Sequence, residues 1–134
     1  IHIKRKNILK TIVSRELAIK TKQWTLTNEE EKKETKIHLS YQKCLNEFKR
    51  TKKNEKKYDF FFKNNKLLEV FYEDLCLDKN KEVRRILKFL GLKQHRLSSQ
   101  LKKQNTRKLS EVIDNYYELK KKIEDTKWIK FFED

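Results

Sequence analysis

With 35 lysines and arginines against 20 acids in 134 residues, the chain carries a net charge of +15 and is long enough for one core but short for a complete nucleotide-dependent enzyme. Charged residues (41%) outnumber hydrophobic ones (36%), which suits exposed helices with narrow apolar stripes. No run approaches the roughly 20 apolar residues of a membrane span, no signal-peptide core follows the start, and the cationic field points to polyanions without choosing among nucleic acid, acidic membranes and phosphorylated small molecules.

Ile1 to Lys4 alternates apolar and polar residues as a strand does, and the next segment carries Ile8, Leu9, Ile12, Val13 and Leu17 at helical spacing. Thr27-Asn28-Glu29-Glu30 has the form of a capping box, so a long charged helix is expected to start there, burying Ile37, Tyr41, Cys44, Leu45 and Phe48. Tyr58 to Phe62 places four aromatics in five residues, and Asn64-Asn65 suits a turn into a buried strand from Leu67 to Tyr72. Asp78 is placed to cap a helix whose Val83, Ile86, Leu87 and Leu90 form one stripe. Gly91, the only glycine, follows that stripe where a left-handed residue ends a helix, with Leu92 folding back.

Lys93 to Lys108 shows no period. A last helix is expected beyond it, capped by Thr106 or Ser110 and lined by Leu109, Val112, Ile113, Tyr116 and Ile123, before an aromatic tail of Trp128, Phe131 and Phe132 that docks on the body. There is no proline and no repeat, so 1–134 is read as one domain without an internal boundary. With no methionine in the chain, Ile1 reads as an interior point of a longer protein. Cys44 and Cys76 stand at apolar positions and read as core thiols, which fits a reducing cytoplasm.

Arg5 and Lys6 end the first strand, Asn7 is a candidate cap, and Ser14 lies two helical turns after Asn7 on the same side. Strand-end cations, helix N–H groups and a hydroxyl on one face can cradle a phosphate; a solvated basic strand end is the plainer reading. His2, His38 and His95 have no sequence neighbour to orient them as a base, and no metal-ligand spacing, phosphate loop or catalytic triad is present.

Phe71-Tyr72-Glu73-Asp74-Leu75, Phe89-Leu90-Gly91-Leu92 and the spacing from Arg5 and Lys6 to Ser14 together resemble the sulfotransferase family, in particular its bacterial, carbohydrate-modifying branch. The resemblance implies an α/β fold: the helix-rich C-terminal part of a P-loop-like parallel-sheet domain, with about two strands present and the N-terminal portion missing. It implies 3′-phosphoadenosine 5′-phosphosulfate as sulfuryl donor, no metal, a carbohydrate or glycolipid acceptor, no nucleic-acid partner, and a bacterial cytoplasmic setting with membrane association through the acceptor. In the family an arginine at the strand end and a serine eight residues later hold the 3′-phosphate. Eight before Ser14 is Lys6, and Arg5 is one earlier, so both are candidates with Ser14. Tyr72 would border the adenine, and Lys103, with Lys102 and Arg107 behind it, would close over the 3′-phosphate. Glycine is common in that branch where Lys22 stands. No counterpart of the 5′-phosphosulfate loop is found, and the catalytic base is not identified. Two rival readings are a basic helical module that binds nucleic acid, with Trp24, Tyr41 or Tyr58 as stacking platforms, and a helical scaffold that docks a protein partner through its aromatic tail.

Overall fold

The computed structural model describes residues 1–27, 31–95, 97–99 and 106–133. The elements are β1 (His2–Lys4), α1 (Ile8–Thr21), α2 (Tyr41–Phe61), β2 (Glu69–Phe71), α3 (Tyr72–Leu77), α4 (Lys79–Phe89), α5 (Leu109–Val112), α6 (Tyr116–Ile123) and a 3₁₀ turn at Ile129–Phe132. This is the mixed α/β content expected, with one two-stranded parallel sheet. The chain divides into two compact units, Ile1–Lys6 with Asn54–Ser99, and Asn7–Lys53 with Gln100–Asp134.

In the first unit β1 pairs with β2 in the register His2 with Glu69, Ile3 with Val70 and Lys4 with Phe71. A parallel pair needs a long crossover, and residues 5–68 supply it. The expected strand from Leu67 to Tyr72 is shorter than its apolar run, because Tyr72 already begins α3. Asp78 caps α4 by accepting from the Lys81 N–H at 2.9 Å. At the other end Gly91 takes φ +68°, its N–H reaches the Lys88 carbonyl (3.2 Å), and that of Leu92 reaches Leu87 (2.9 Å), closing the helix in a Schellman turn. The stripe is thinner than expected: Leu87 is buried, Val83 and Ile86 are half-buried, and Leu90 is exposed. Glu82 is buried instead, held by an ion pair with Arg85.

The second unit holds the main hydrophobic cluster, in which α1 contributes Ile8, Leu9, Ile12 and Val13, α2 contributes Cys44 and Phe48, and the C-terminal elements contribute Tyr116, Leu119, Ile123, Trp128, Phe131 and Phe132. The aromatic tail docks as expected: Phe48 packs 5.0 Å from Phe131 and 5.5 Å from Trp128 between ring centres, and the Tyr116 hydroxyl donates to the Phe132 carbonyl. Asn7 caps α1 through its Oδ1 and the Lys10 N–H (3.2 Å).

Two expectations fail here for one reason. The long helix starts at Tyr41, where Ser40 Oγ accepts from the Lys43 N–H (3.1 Å); Asn28 to Glu30 lie outside the described residues, and residues 31–36 are not helical. The last helix is split between α5 and α6. Ile37 makes a parallel bridge with Ile113, its N–H reaching the Val112 carbonyl (2.9 Å) and its carbonyl accepting from Asp114 (3.0 Å). Backbone groups spent on that bridge are lost to either helix, and the alternation of buried Ile37, exposed His38 and buried Leu39 is that of an extended segment. The N-cap of this segment is also neither Thr106 nor Ser110 but Lys108, whose N–H donates to the Glu111 carboxylate (3.2 Å).

Candidate functional site

The residues that follow β1 deliver two consecutive cations, Arg5 and Lys6, to the start of α3. The Arg5 guanidinium lies 4.0 Å from the centre of the Tyr72 ring, and its Nε faces Glu73 Oε1 at 3.4 Å, an ion pair whose alignment falls short of a hydrogen bond. The backbone N–H of Lys6 donates to Glu73 Oε2 (3.0 Å), and its ammonium pairs with Asp74. Glu73 and Asp74 therefore anchor the strand end to α3. The structure thus brings Arg5, Lys6 and Tyr72 together in the first unit. A hydrogen bond with the Cys76 thiol and partial burial raise the Tyr72 pKa above the ordinary tyrosine value, so its hydroxyl is neutral at pH 7. Cys76 is exposed at the end of α3, in contrast to the core thiol expected.

Elsewhere in the first unit, Lys4 Nζ bonds both oxygens of Asp59 (2.9 and 3.0 Å) and also Glu69, and His2 Nδ1 lies 3.3 Å from Asp59. Among the described residues, His2, Asp59 and Glu69 are one group with metal-ligand spacing. The Lys4 ammonium already occupies the centre of that carboxylate pair, so the position of a cation is filled by the chain itself. Burial alone would lower the Lys4 pKa, but its hydrogen bonds to Glu69 and Asp59 prevail and raise it.

In the second unit Ser14 lines a narrow cleft of about 20 Å³ with Ala18, Thr21, Lys32, Lys33 and Arg107. That volume admits about one oxygen atom. Arg107 is fixed there by its bond to the Thr35 carbonyl (2.9 Å) and by Glu34 (3.7 Å). Lys32 (3.1 Å) and Arg107 hold the Glu34 carboxyl below its usual pKa. Asn7 is excluded as a phosphate ligand by its cap bond and by donation from Nδ2 to the Phe131 carbonyl (3.0 Å). Lys102 and Lys103 lie outside the described residues. Lys32 and Lys33 were not legible as part of a Ser14 site, since only folding brings residues 14, 32 and 107 to one cleft.

The histidines are less isolated than their sequence neighbours imply. Asn115 exchanges hydrogen bonds with the Leu39 N–H (3.1 Å) and carbonyl (2.9 Å), which orients its amide; its Nδ2 then donates to His38 Nε2 (3.4 Å). The His38 proton therefore sits on Nδ1 and is donated to Asp114 Oδ1 at 2.9 Å. His38 is nevertheless exposed, and only its Nε2 lone pair could act as a base.

The sequence profile of the sulfotransferase family matches residues 1–96. The chain is similar to Nodulation protein H of Rhizobium tropici, with 29% identity over 130 residues that cover 96% of this chain and 52% of that protein. It thus spans about half the length of the curated relative it matches. No solved structure matches the chain.

Proposed function

Because the chain belongs to the sulfotransferase family, we propose that it carries the part of a sulfotransferase that holds the adenosine 3′-phosphate end of 3′-phosphoadenosine 5′-phosphosulfate. The whole protein then moves the sulfuryl group to a hydroxyl of a carbohydrate or glycolipid. In that reaction the acceptor oxygen bonds to sulfur as the bond between sulfur and the bridging phosphate oxygen breaks. Adenosine 3′,5′-bisphosphate leaves, and the acceptor proton passes to a base.

One observation carries this reading: Ser14 and the cationic residues Lys32, Lys33 and Arg107 line the same cleft. A hydroxyl donor among fixed cations is chemistry suited to an anionic oxygen, and the cleft's width suits one oxygen of a phosphate whose remainder stays at the mouth. Arg107 thereby takes the part that the sequence assigned first to Lys103, which remains a second candidate. In the first unit Arg5 covers one face of Tyr72, the partly exposed ring that this reading assigns to the adenine. Arg5 is committed to Tyr72 and Glu73, so Lys6, half-exposed on Asp74, is the strand-end cation better able to exchange its carboxylate for a phosphate.

Calorimetric titration of the 134-residue chain with adenosine 3′,5′-bisphosphate tests the reading. Saturable binding is expected, weakened about tenfold or more by Ser14→Ala and by Arg107→Gln, since each removes a hydrogen bond to a charged group. Binding indifferent to both substitutions would reject the site. No nucleotide binding, together with oligonucleotide binding that falls steeply with salt, would replace it with the nucleic-acid reading.

A further inference from the structure

Within the first unit, α2 ends in Tyr58, Phe60 and Phe61, and Phe62 follows at once. Their exposures are 48, 70, 71 and 39%. Single exposed aromatics are ordinary, whereas four within five residues are a concentration of apolar surface that ordinary solvation does not explain. Phe61 and Phe62 meet edge to face at 4.9 Å, and Tyr58 and Phe62 also line a groove of about 520 Å³ whose apolar wall is Ile1, Ile3 and Leu67 and whose polar wall is His2, Asn65 and Lys66.

Cations surround these rings. Lys56, Lys57, Lys63 and Lys66 are all exposed; the Lys63 ammonium lies 4.5 Å from the Phe60 ring centre, and that of Lys57 lies 5.9 Å from that of Tyr58. Of the two acids between residues 54 and 67, Asp59 is engaged by Lys4 and His2, and Glu55 alone does not balance four lysines. We propose that this patch binds the anionic surface of a lipid bilayer, with Phe60 and Phe61 entering the boundary between headgroups and acyl chains and the lysines meeting lipid phosphates. The composition selects that partner. Lysine is depleted from the centres of protein interfaces, while phenylalanine flanked by lysine satisfies both the apolar depth and the negative charge of a membrane surface. No helix among the described residues is long and apolar enough to cross a membrane, so the contact is peripheral.

Co-sedimentation of the chain with vesicles of phosphatidylcholine alone, and of phosphatidylcholine mixed with phosphatidylglycerol, is the test. Binding is expected to the mixed vesicles only. Phe60→Ser/Phe61→Ser should reduce partition at least about tenfold, and each of Lys56→Gln, Lys57→Gln and Lys63→Gln about fivefold. All these positions are exposed, so the variants keep the wild-type melting temperature. Lys120→Gln/Lys121→Gln/Lys127→Gln removes equal charge on the second unit and should leave most binding in place. If that control loses as much as a variant carrying Lys56→Gln, Lys57→Gln and Lys63→Gln together, general charge explains the binding and the proposal falls. It falls equally if the serine variant still binds, or if sedimentation velocity shows a dimer that the serine variant dissolves.

Discussion

The second unit closes 17 apolar residues into one cluster around Phe48, whereas the first, among the described residues, buries only Val70 and Leu87 of its hydrophobic side chains. The first unit is tied instead by ion pairs: Lys4 to Asp59 and Glu69, Arg5 to Glu73, Lys6 to Asp74, and Glu82 to Arg85. Partly exposed pairs of this kind contribute about 0–1 kcal/mol each, against about 1.5–3 kcal/mol for a fully buried large apolar side chain. Packing thus stabilises one unit, and the other carries cations in arrangements that packing does not need. The residues proposed to meet adenine, and those proposed to meet a membrane, belong to the unit with the smaller core.

The thiols give the widest contrast. Burial pushes the Cys44 pKa up to about 11 in the second unit, while Cys76 in the first is exposed. With a disulfide reagent at pH 8, Cys76 should react at least about a hundredfold faster than Cys44, whose release should await unfolding. Fast labelling of Cys44 in the folded chain would contradict a closed core. Next in size, Phe48→Ala should cost about 3–5 kcal/mol in chemical denaturation and Val70→Ala about 2 kcal/mol, because only the former empties the space beside two other rings. Equal costs would erase the distinction between the units.

A smaller effect compares two left-handed residues. Lys22 ends α1 at φ +55°, where its Cβ is strained, while Gly91 ends α4 at φ +68° with no atom within 4 Å of an added Cβ. Lys22→Gly should stabilise the second unit by about 1 kcal/mol and Gly91→Ala destabilise the first by about the same amount, both read from thermal midpoints. The smallest concerns pH. The hydrogen bond from Lys4 holds the Asp59 carboxyl below its ordinary pKa, so its contribution is complete above that ordinary value and is lost as the pH falls through the lowered one. Asp59→Asn should flatten this acid limb of the stability profile; an unchanged limb would assign it to other carboxylates.

Local signals proved legible wherever a structure closes within a few residues. The Asn7 and Asp78 caps, the Gly91 turn and the apolar side of α1 are all readable from spacing and residue type, because caps and amphipathic faces depend on neighbours one or two turns away; that Trp128, Phe131 and Phe132 dock was readable from their apolarity, but not that Phe48 receives them. Of the candidate site, the motif around Tyr72, its accompanying cations and Arg107 were visible through the resemblance, whereas the stacking of Arg5 on Tyr72 and the place of Lys32 and Lys33 beside Ser14 were not. The thiol of Cys76 and the stripe position of Leu90 misled because both occupy apolar positions in a unit that does not bury them.

The amino-acid sequence by itself determined the element types, the caps, the strongly positive charge and the resemblance to sulfotransferases, since each resides in composition or short spacing. Only the tertiary structure decided that residues 37–39 are extended and bridge to 113–115, thereby delaying α2 and breaking the last helix. It alone set Asp114 against His38, 76 positions apart, and Arg107 in the cleft of Ser14. Backbone hydrogen bonds and charges are satisfied by whichever partner folding brings near, and no local pattern records a partner that distant.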